Sequence, residues 1–421
     1  MKTKKIAAYL AAGLLFSSIA YAEEASTEVT TEPTGNAFTQ AFKEGKPKLA
    51  FRLRHENAKQ GSLHDARATT LRTTVGFETA EFSKSLIKLE LVDVANFFGQ
   101  RFNPGVSDLT KPSYSMIRDP RGAGITEGKF IYNGFDRNTI TFGRQYIQLD
   151  NERFIGKNDF RQFPQSFDSL GVNIGMVDSL NFYYAYLNRV NTNFANGRSD
   201  EARRGLSTHI INAKWDGYQF ANLIGYLYFN KDRSVRTNSH TLYGIRATGI
   251  SSDEVDDLDY SVELARQQSK FGNPKKYTAY YMNFNIDKTI SVFKGTAGFE
   301  RLSGSSSGAN VAFITPLGSV DNFNGLAQVF STTPNRGLQD AYATISGSNP
   351  NVDITIALTY HLFRLDKGPG PKRAGQEIDI KGILKVNAQI DLTMAFARYN
   401  PKNNVAPKTT RFWVMMNANL L

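Results

Sequence analysis

The sequence has 421 residues, 50 Lys and Arg against 39 Asp and Glu, a net charge of +11 and no cysteine. The missing cysteines exclude disulfide staples and Cys-based metal or redox centres. No later segment is apolar for 18 residues, which excludes a helical membrane protein, and no run of five like charges occurs, which argues against a nucleic-acid arm.

At the N-terminus, Lys2, Lys4 and Lys5 form a positive region. They are followed by the apolar stretch Ile6–Phe16 and an A-x-A cleavage site, Ala20-Tyr21-Ala22. Eleven apolar residues rise only about 16 Å as a helix, too short to span a bilayer. Residues 1–22 therefore read as a secretion signal removed near Ala22, leaving 399 residues with 47 basic and 39 acidic side chains. Residues 23–47 form a flexible leader rich in Glu, Thr and Pro. Within it, Phe38, Ala41 and Phe42 make an amphipathic stretch of one or two helical turns.

From residue 48 to the C-terminus the dominant period is two. Leu258, Tyr260, Val262 and Leu264 share one face, against Asp259, Ser261 and Glu263 on the other. Tyr280, Met282, Phe284 and Ile286 alternate with Tyr281, Asn283 and Asn285. Leu392, Met394 and Phe396 alternate with Asp391 and Thr393. Such segments predict 18 strands: 49–56, 69–79, 84–94, 128–134, 137–147, 170–176, 179–190, 206–215, 218–230, 238–250, 256–268, 276–287, 290–302, 338–347, 351–364, 376–384, 387–400 and 409–420. The links alternate in length, short at 80–83, 135–136, 177–178, 216–217, 288–289, 348–350 and 385–386, and long at 95–127, 148–169, 191–205, 303–337 and 365–375. A transmembrane barrel has short periplasmic turns and long outer loops, and an even strand number returns the C-terminus to the periplasm. The acidic link 251–255 is somewhat long for a periplasmic turn. The fold class expected is an all-β, antiparallel transmembrane barrel of about 18 strands over residues 48–421. With 19 Tyr, 30 Phe and 34 Gly at a mean hydropathy of −0.37, the composition suits a wall half apolar and half polar.

Five histidines are scattered without metal-ligand spacing, and the glycine-rich pieces Gly304–Gly308 and Gly368–Pro371 precede no helix and carry no phosphate-binding Lys. No cofactor, metal or catalytic residue is expected. Charged residues at lumen phase are more informative. Leu49, Phe51 and Leu53 point outward, so Arg52, Arg54 and Glu56 point in. By the same phase Arg72, Glu78, Lys88, Glu90, Arg246, Lys294 and Glu300 face the lumen. An Arg or Lys facing lipid at the midplane costs roughly 2–4 kcal/mol, so energy supports the same assignment. These side chains serve either selectivity or Arg–Glu bracing of the wall. The segment 143–168 is denser, with Arg144, Asp150, Arg153, Arg161 and Asp168. Arg144 falls on the lipid phase of Ile140 and Phe142 unless a bulge or strand end at Gly143 turns it inward.

The words GRQYIQLDNERFIGKNDFRQFPQSFDS, ATTLRTTVGFET and FRLRHENA resemble the bacterial alginate-export family of outer-membrane proteins. So do the blocks FITPLGSVDNFNGLAQVF with TPNRGLQDAY and YHLFRLDKGPGPKRAGQEIDI, so that the resemblance runs from about Phe51 to the C-terminus. It implies an 18-stranded barrel whose basic lumen passes an anionic polyuronate. It also implies Arg144, Arg153 and Arg161 as pore residues, Arg52, Arg54 and Arg72 at early family positions, and Asp150 and Asp168 as acids that keep the arginines from trapping the polymer. The sequence departs from the family in its lumen-phase acids Glu56, Glu78, Glu90, Glu263 and Asp391, and in ending on Leu420-Leu421 rather than on an aromatic residue.

The function expected from the sequence is an outer-membrane channel or porin for anionic, saccharide-like solutes, with Arg246 completing the pore set. Alternatives are a general or small-nutrient porin, a barrel-borne hydrolase and an adhesive barrel with a plugged lumen. Expected partners are outer-membrane lipid, an anionic oligo- or polysaccharide or small anion, the periplasmic barrel-assembly machinery and, for a polymer, an export complex; no nucleic acid is expected.

Overall fold

A computed structural model of the protein describes residues 36–106, 109–194, 202–218, 220–249, 258–304 and 311–421. The signal, most of the leader and the acidic link at 251–255 lie outside the described residues. Asn36 caps helix α1 (Ala37–Lys43) by accepting from Thr39 N at 2.9 Å. From Ala41 onward the chain forms one compact unit, a closed barrel.

Eighteen strands build the wall. They are β1 (Lys46–Gln60), β2 (Ala66–Glu78), β3 (Ser85–Arg101), β4 (Gly122–Phe135), β5 (Asn138–Gln145), β6 (Ser166–Val177), β7 (Leu180–Asn191), β8 (Arg203–Tyr218) and β9 (Ala221–Asn230), followed by β10 (His240–Gly249), β11 (Leu258–Ser269), β12 (Thr278–Ile290), β13 (Phe293–Ser303), β14 (Gly337–Asn349), β15 (Ile354–Arg364), β16 (Arg373–Lys385), β17 (Ile390–Pro401) and β18 (Thr409–Asn419). Each strand pairs antiparallel with its sequence neighbours, and β1 closes on β18 through register pairs from Ala50–Asn419 to Gln60–Thr409. Closure leaves no sheet edge, the condition under which strands can cross lipid.

The alternation is inverted relative to a soluble protein. Phe142, Ile245, Phe293 and Ile345 are 60–68% exposed. The charged Arg54, Glu56, Glu263 and Glu377 are at most 1% exposed. An exposed apolar surface of this extent marks a membrane-facing wall. The all-β, 18-stranded antiparallel barrel is thus established.

The strands run further than hydropathy alone predicts. β1 begins at Lys46 and ends at Gln60, and the extension of β3 and β4 shortens the second outer loop to residues 102–121. Alternation fades where lipid ends, but ladder hydrogen bonding continues above it. One outer link, 61–65, is short; otherwise the long links 102–121, 146–165 and 304–336 all lie at one end.

The last two of these loops fold into the barrel and pack on one another. Gly156 N donates to the Leu317 carbonyl at 3.1 Å, and Ser319 N to the Glu152 carbonyl at 2.9 Å. Two glycines permit the approach. A Cβ on Gly318 would lie 2.1 Å from the Arg153 carbonyl oxygen, and one on Gly156 would lie 2.2 Å from Ser319 Oγ. Phe154, Ile155, Phe313 and Phe330 anchor the loops in an apolar cluster with the wall residues Tyr226, Tyr281, Phe363 and Tyr399. Burying such aromatics is worth roughly 1.5–3 kcal/mol each, which fastens the loops across the lumen.

Candidate functional site

The lumen divides into two charged halves separated by the inward loops. On the β1–β3 side, alternation directs Arg52 and Arg54 of β1 and Arg72 of β2 inward, where loop 146–165 meets them. Arg72 Nη1 reaches Asp159 Oδ1 at 2.5 Å, Arg52 Nη2 lies 3.4 Å from Asp159 Oδ2, and Lys157 Nζ lies 3.5 Å from the same oxygen. Arg52 Nη1 also donates to the Asp159 carbonyl at 2.6 Å, and its Nε to Asn417 Oδ1 at 2.7 Å. Three cations therefore share one carboxylate. Burial alone would raise the Asp159 carboxyl, but Arg72, then Arg52 and Lys157, hold it well below the usual carboxylate range. These groups line a cavity of about 300 Å³ together with Lys48, Glu90 and Asp391. Lys48 and Tyr146 engage Glu90, each at 2.5 Å.

Above this cavity lies a sealed network. Glu56 accepts from Arg54 Nη2 at 2.8 Å, Arg161 Nη1 at 3.0 Å and Arg411 Nη1 at 2.6 Å. Asp119 lies 3.8 Å from Arg54 and 3.6 Å from Arg161, and Asp321 lies 3.9 Å from Arg161. Arg161 Nη2 donates to Gln328 Oε1. The Phe160 ring lies 4.4 Å from the Arg54 guanidinium and 5.1 Å from that of Arg161, edge-on to Trp413. Burial lowers and the three carboxylates raise the Arg161 pKa, and the carboxylates win. Arg54 and Arg161 thus clamp the loop to the wall, and no open lumen reaches them.

On the opposite side, a cavity of about 480 Å³ is lined by Glu300, Asp340 and Asp379 with Arg246, Lys381 and His361. Arg153 crosses the lumen to pair with Glu300 at 2.9 Å, donates from Nη2 to Asn324 Oδ1 at 2.9 Å and stacks 4.4 Å from Phe323. Arg246 pairs with Glu263 at 2.8 Å. The His361 Nδ1 lies 2.9 Å from Asp340 Oδ1 and its Nε2 lies 3.6 Å from Asp379 Oδ2. Two carboxylates hold loop 304–336 by its backbone: Ala327 N donates to Glu377 Oε1 at 2.7 Å and Leu326 N to Asp379 Oδ2 at 2.9 Å. An outer vestibule of about 630 Å³ has Arg118 and Arg204 as its charged lining residues.

Arg144 and Asp168 sit elsewhere. The expected break at Gly143 is absent: Phe130–Phe142, Lys129–Gly143 and Gly128–Arg144 pair in unbroken register. Arg144 therefore keeps the lipid-facing phase of Phe142. Its cost there is met by Asp168, its register partner on β6, at 2.6 Å, with Arg189 3.7 Å from the same carboxylate. Asp150 is exposed on its loop and accepts from Asn212 at 3.0 Å. The structure thus brings Arg52 and Arg72 together and seals Arg54 and Arg161 beside them. It places Arg153 and Arg246 on the other half and leaves Arg144 and Asp168 on the outer face.

Sequence reasoning passed over Arg411, Asp119, Asp321, Asp340, His361, Glu377 and Asp379. Alternation was available for the strand residues, since Glu377 and Asp379 interleave with the 43–45% exposed Ile378 and Ile380. For Asp119 and Asp321, on loops, the sequence carries no signal.

No protein-family model matches the chain, and no curated protein matches it by sequence. Solved structures do match. OccK9 (OpdG) of Pseudomonas aeruginosa superposes with a TM-score of 0.67 at 11% identity, over 90% of this chain and 100% of that one. OccAB1 of Acinetobacter baumannii gives 0.66 at 11% identity, over 94% and 100%. OccD3 (OpdP) of P. aeruginosa gives 0.62 at 9% identity, over 89% and 92%. The barrel is therefore of the kind found in the Occ/Opd outer-membrane porins. The resemblance to the alginate-export family is not upheld: the matching structures are Occ/Opd porins, and no family model supports the short sequence words.

Proposed function

We propose that the protein is an outer-membrane channel for small anionic solutes, with a carboxylate or similar group taken by the Arg52–Arg72–Lys157 side of the lumen. The observation that carries this reading is the sharing of Asp159 by three cations, which leaves guanidinium and ammonium donors with uncompensated charge beside a cavity of about 300 Å³. Basic groups aimed into a narrow, low-dielectric pore lower the cost of bringing an anion through it.

The solute is small. Loop 146–165 is tied to opposite walls by the Arg161–Glu56 and Arg153–Glu300 pairs, and loop 304–336 packs on it and is held by Glu377 and Asp379, which argues against the passage of a thick polymer. Saccharide acids of one or two residues remain within this class. A second reading rests on the acid-rich cavity at Glu300, Asp340 and Asp379, which suits an ammonium group. A solute bearing both charges would then be drawn to both halves. The channel works by electrostatics alone, without a cofactor or a covalent step.

The test is current block in single channels of the refolded protein. Small monocarboxylates, the matching amines and the matching amino acids are added in turn at equal ionic strength. Stronger block by carboxylates than by amines, abolished in Arg52→Glu/Arg72→Glu, supports the anion reading. Block by amino acids alone favours the zwitterion, and block by amines alone overturns both.

A further inference from the structure

The outward face of the wall differs at its two ends. On β2 the lipid-facing phase runs Phe77, Val75, Thr73, Leu71, Thr69 and then Arg67; on β3 it runs Leu89, Leu91, Asp93, Ala95 and Phe97, and Arg101 follows beyond a bulge at Phe98–Gly99. Arg67 and Arg101 are register partners, both exposed, across a bulge above the Thr69–Phe97 pair. The arrangement recurs on β15 and β16. There Ile356, Leu358, Tyr360 and Leu362 lead to Arg364, whose register partner across a bulge is Arg373, again exposed. At the periplasmic ends of these strands the same phase carries Phe77, Ile87, Ile354 and Leu384.

Two arginines directly opposite on one face of an antiparallel ladder repel one another. Among the described residues, the neighbouring acids are engaged elsewhere. Asp65 pairs with Lys59, and Asp366 is held by Arg301 and Gln339. Arg373 donates to the Gln376 side chain, a neutral partner. A pair of guanidinium forks side by side presents the donor geometry that matches the oxygens of a phosphate group. Their height, at the outer limit of the apolar band, is where the headgroups of the outer leaflet lie.

We propose that Arg67–Arg101 and Arg364–Arg373 are two binding sites for the phosphate groups of a glycolipid in the outer leaflet. This rests on the outer-membrane reading of the barrel but not on the identity of the transported solute. The acyl chains lie along the apolar strand faces below each pair, and the phosphate neutralises the two facing cations. The asymmetry of the two rims fixes the barrel's orientation and depth as well as recruiting the lipid.

The test uses the refolded full chain in detergent and bisphosphorylated lipid A as the probe, with bound lipid counted by native mass spectrometry. Retention of lipid A should fall at least tenfold in R67E/R101E/R364E/R373E. It should also fall at least tenfold for the wild-type barrel when the lipid A is dephosphorylated, a comparison that needs no variant to fold. Equal retention of phosphorylated and dephosphorylated lipid overturns the proposal, as does displacement by millimolar inorganic phosphate, which would mean a site for free anion. Channel conductance is read in parallel. A barrel that fails to conduct yet retains lipid A removes the transport reading alone, and one that conducts without phosphate-dependent retention removes this one alone.

Discussion

The two halves of the lumen hold their loops by opposite means. On the β1–β3 side, arginine side chains converge on few carboxylates, and Glu56 alone receives three guanidinium groups. On the β13–β16 side, carboxylates are in surplus, and Glu377 and Asp379 hold loop 304–336 through its backbone N–H groups. The first half loses its closest counter-ion if Glu56 is removed, leaving only Asp119 and Asp321 at 3.6–3.9 Å from Arg54 and Arg161. The second loses one acid among several and sheds like-charge repulsion at the same time. The contrast separates residues that fasten the fold from residues that set the field in the pore.

The largest effect is expected at the scarce acid. Glu56→Gln leaves Arg54, Arg161 and Arg411 buried around a neutral amide and should cost about 3–5 kcal/mol. The check is the urea midpoint of the refolded barrel, followed by the fluorescence of the buried Trp413, which packs on Phe160 beside this network. A cost under about 1 kcal/mol would show that the cluster is not the clamp described. Gly318→Ala sets a methyl against the Arg153 carbonyl oxygen and should cost about 1–3 kcal/mol by overpacking. It should also expose loop 146–165 to protease, whereas unchanged resistance would deny the close approach. Glu377→Gln should stay within about 1 kcal/mol of wild type, because the amide oxygen can still accept from Ala327 N and the neighbouring Asp379 is relieved of repulsion. A loss as large as that of Glu56→Gln would erase the contrast.

The smallest effect concerns pH. The folded Asp159 carboxyl titrates below its unfolded value of about 3.9. Its contribution is therefore present above that value and is lost only as pH falls through the depressed folded one. Loop 146–165 should stay equally resistant to an acid-stable protease from pH 7 down to about 4 and loosen only below. Loosening already at pH 5 would mean that the three cations do not hold Asp159 ionised.

The wall was legible in the sequence because lipid on one side and water on the other impose a period of two on every strand. Leu53 outward and Arg52 and Arg54 inward follow from that alone. The candidate site was legible only in part. Arg161 meets Glu56, Asp119, Asp321 and Gln328, partners up to 167 residues away that gather only when three loops converge. No local spacing encodes such a meeting. Arg144 shows the converse: its chemistry suggested a pore residue, but the ladder stays in register past Gly143 and keeps it on the outer face with Asp168. Short charged words likewise gave a misleading family likeness, since residue type repeats more readily than fold detail.

The central claim, that the Arg52–Arg72–Lys157 half sets the selectivity of an open channel, is tested most directly by the reversal potential of single channels under a KCl gradient. Wild type should reverse on the anion-selective side, and Arg72→Glu should move the reversal potential toward the cation side. A wild-type channel that prefers cations, or an Arg72→Glu channel with an unchanged reversal potential, would contradict the account.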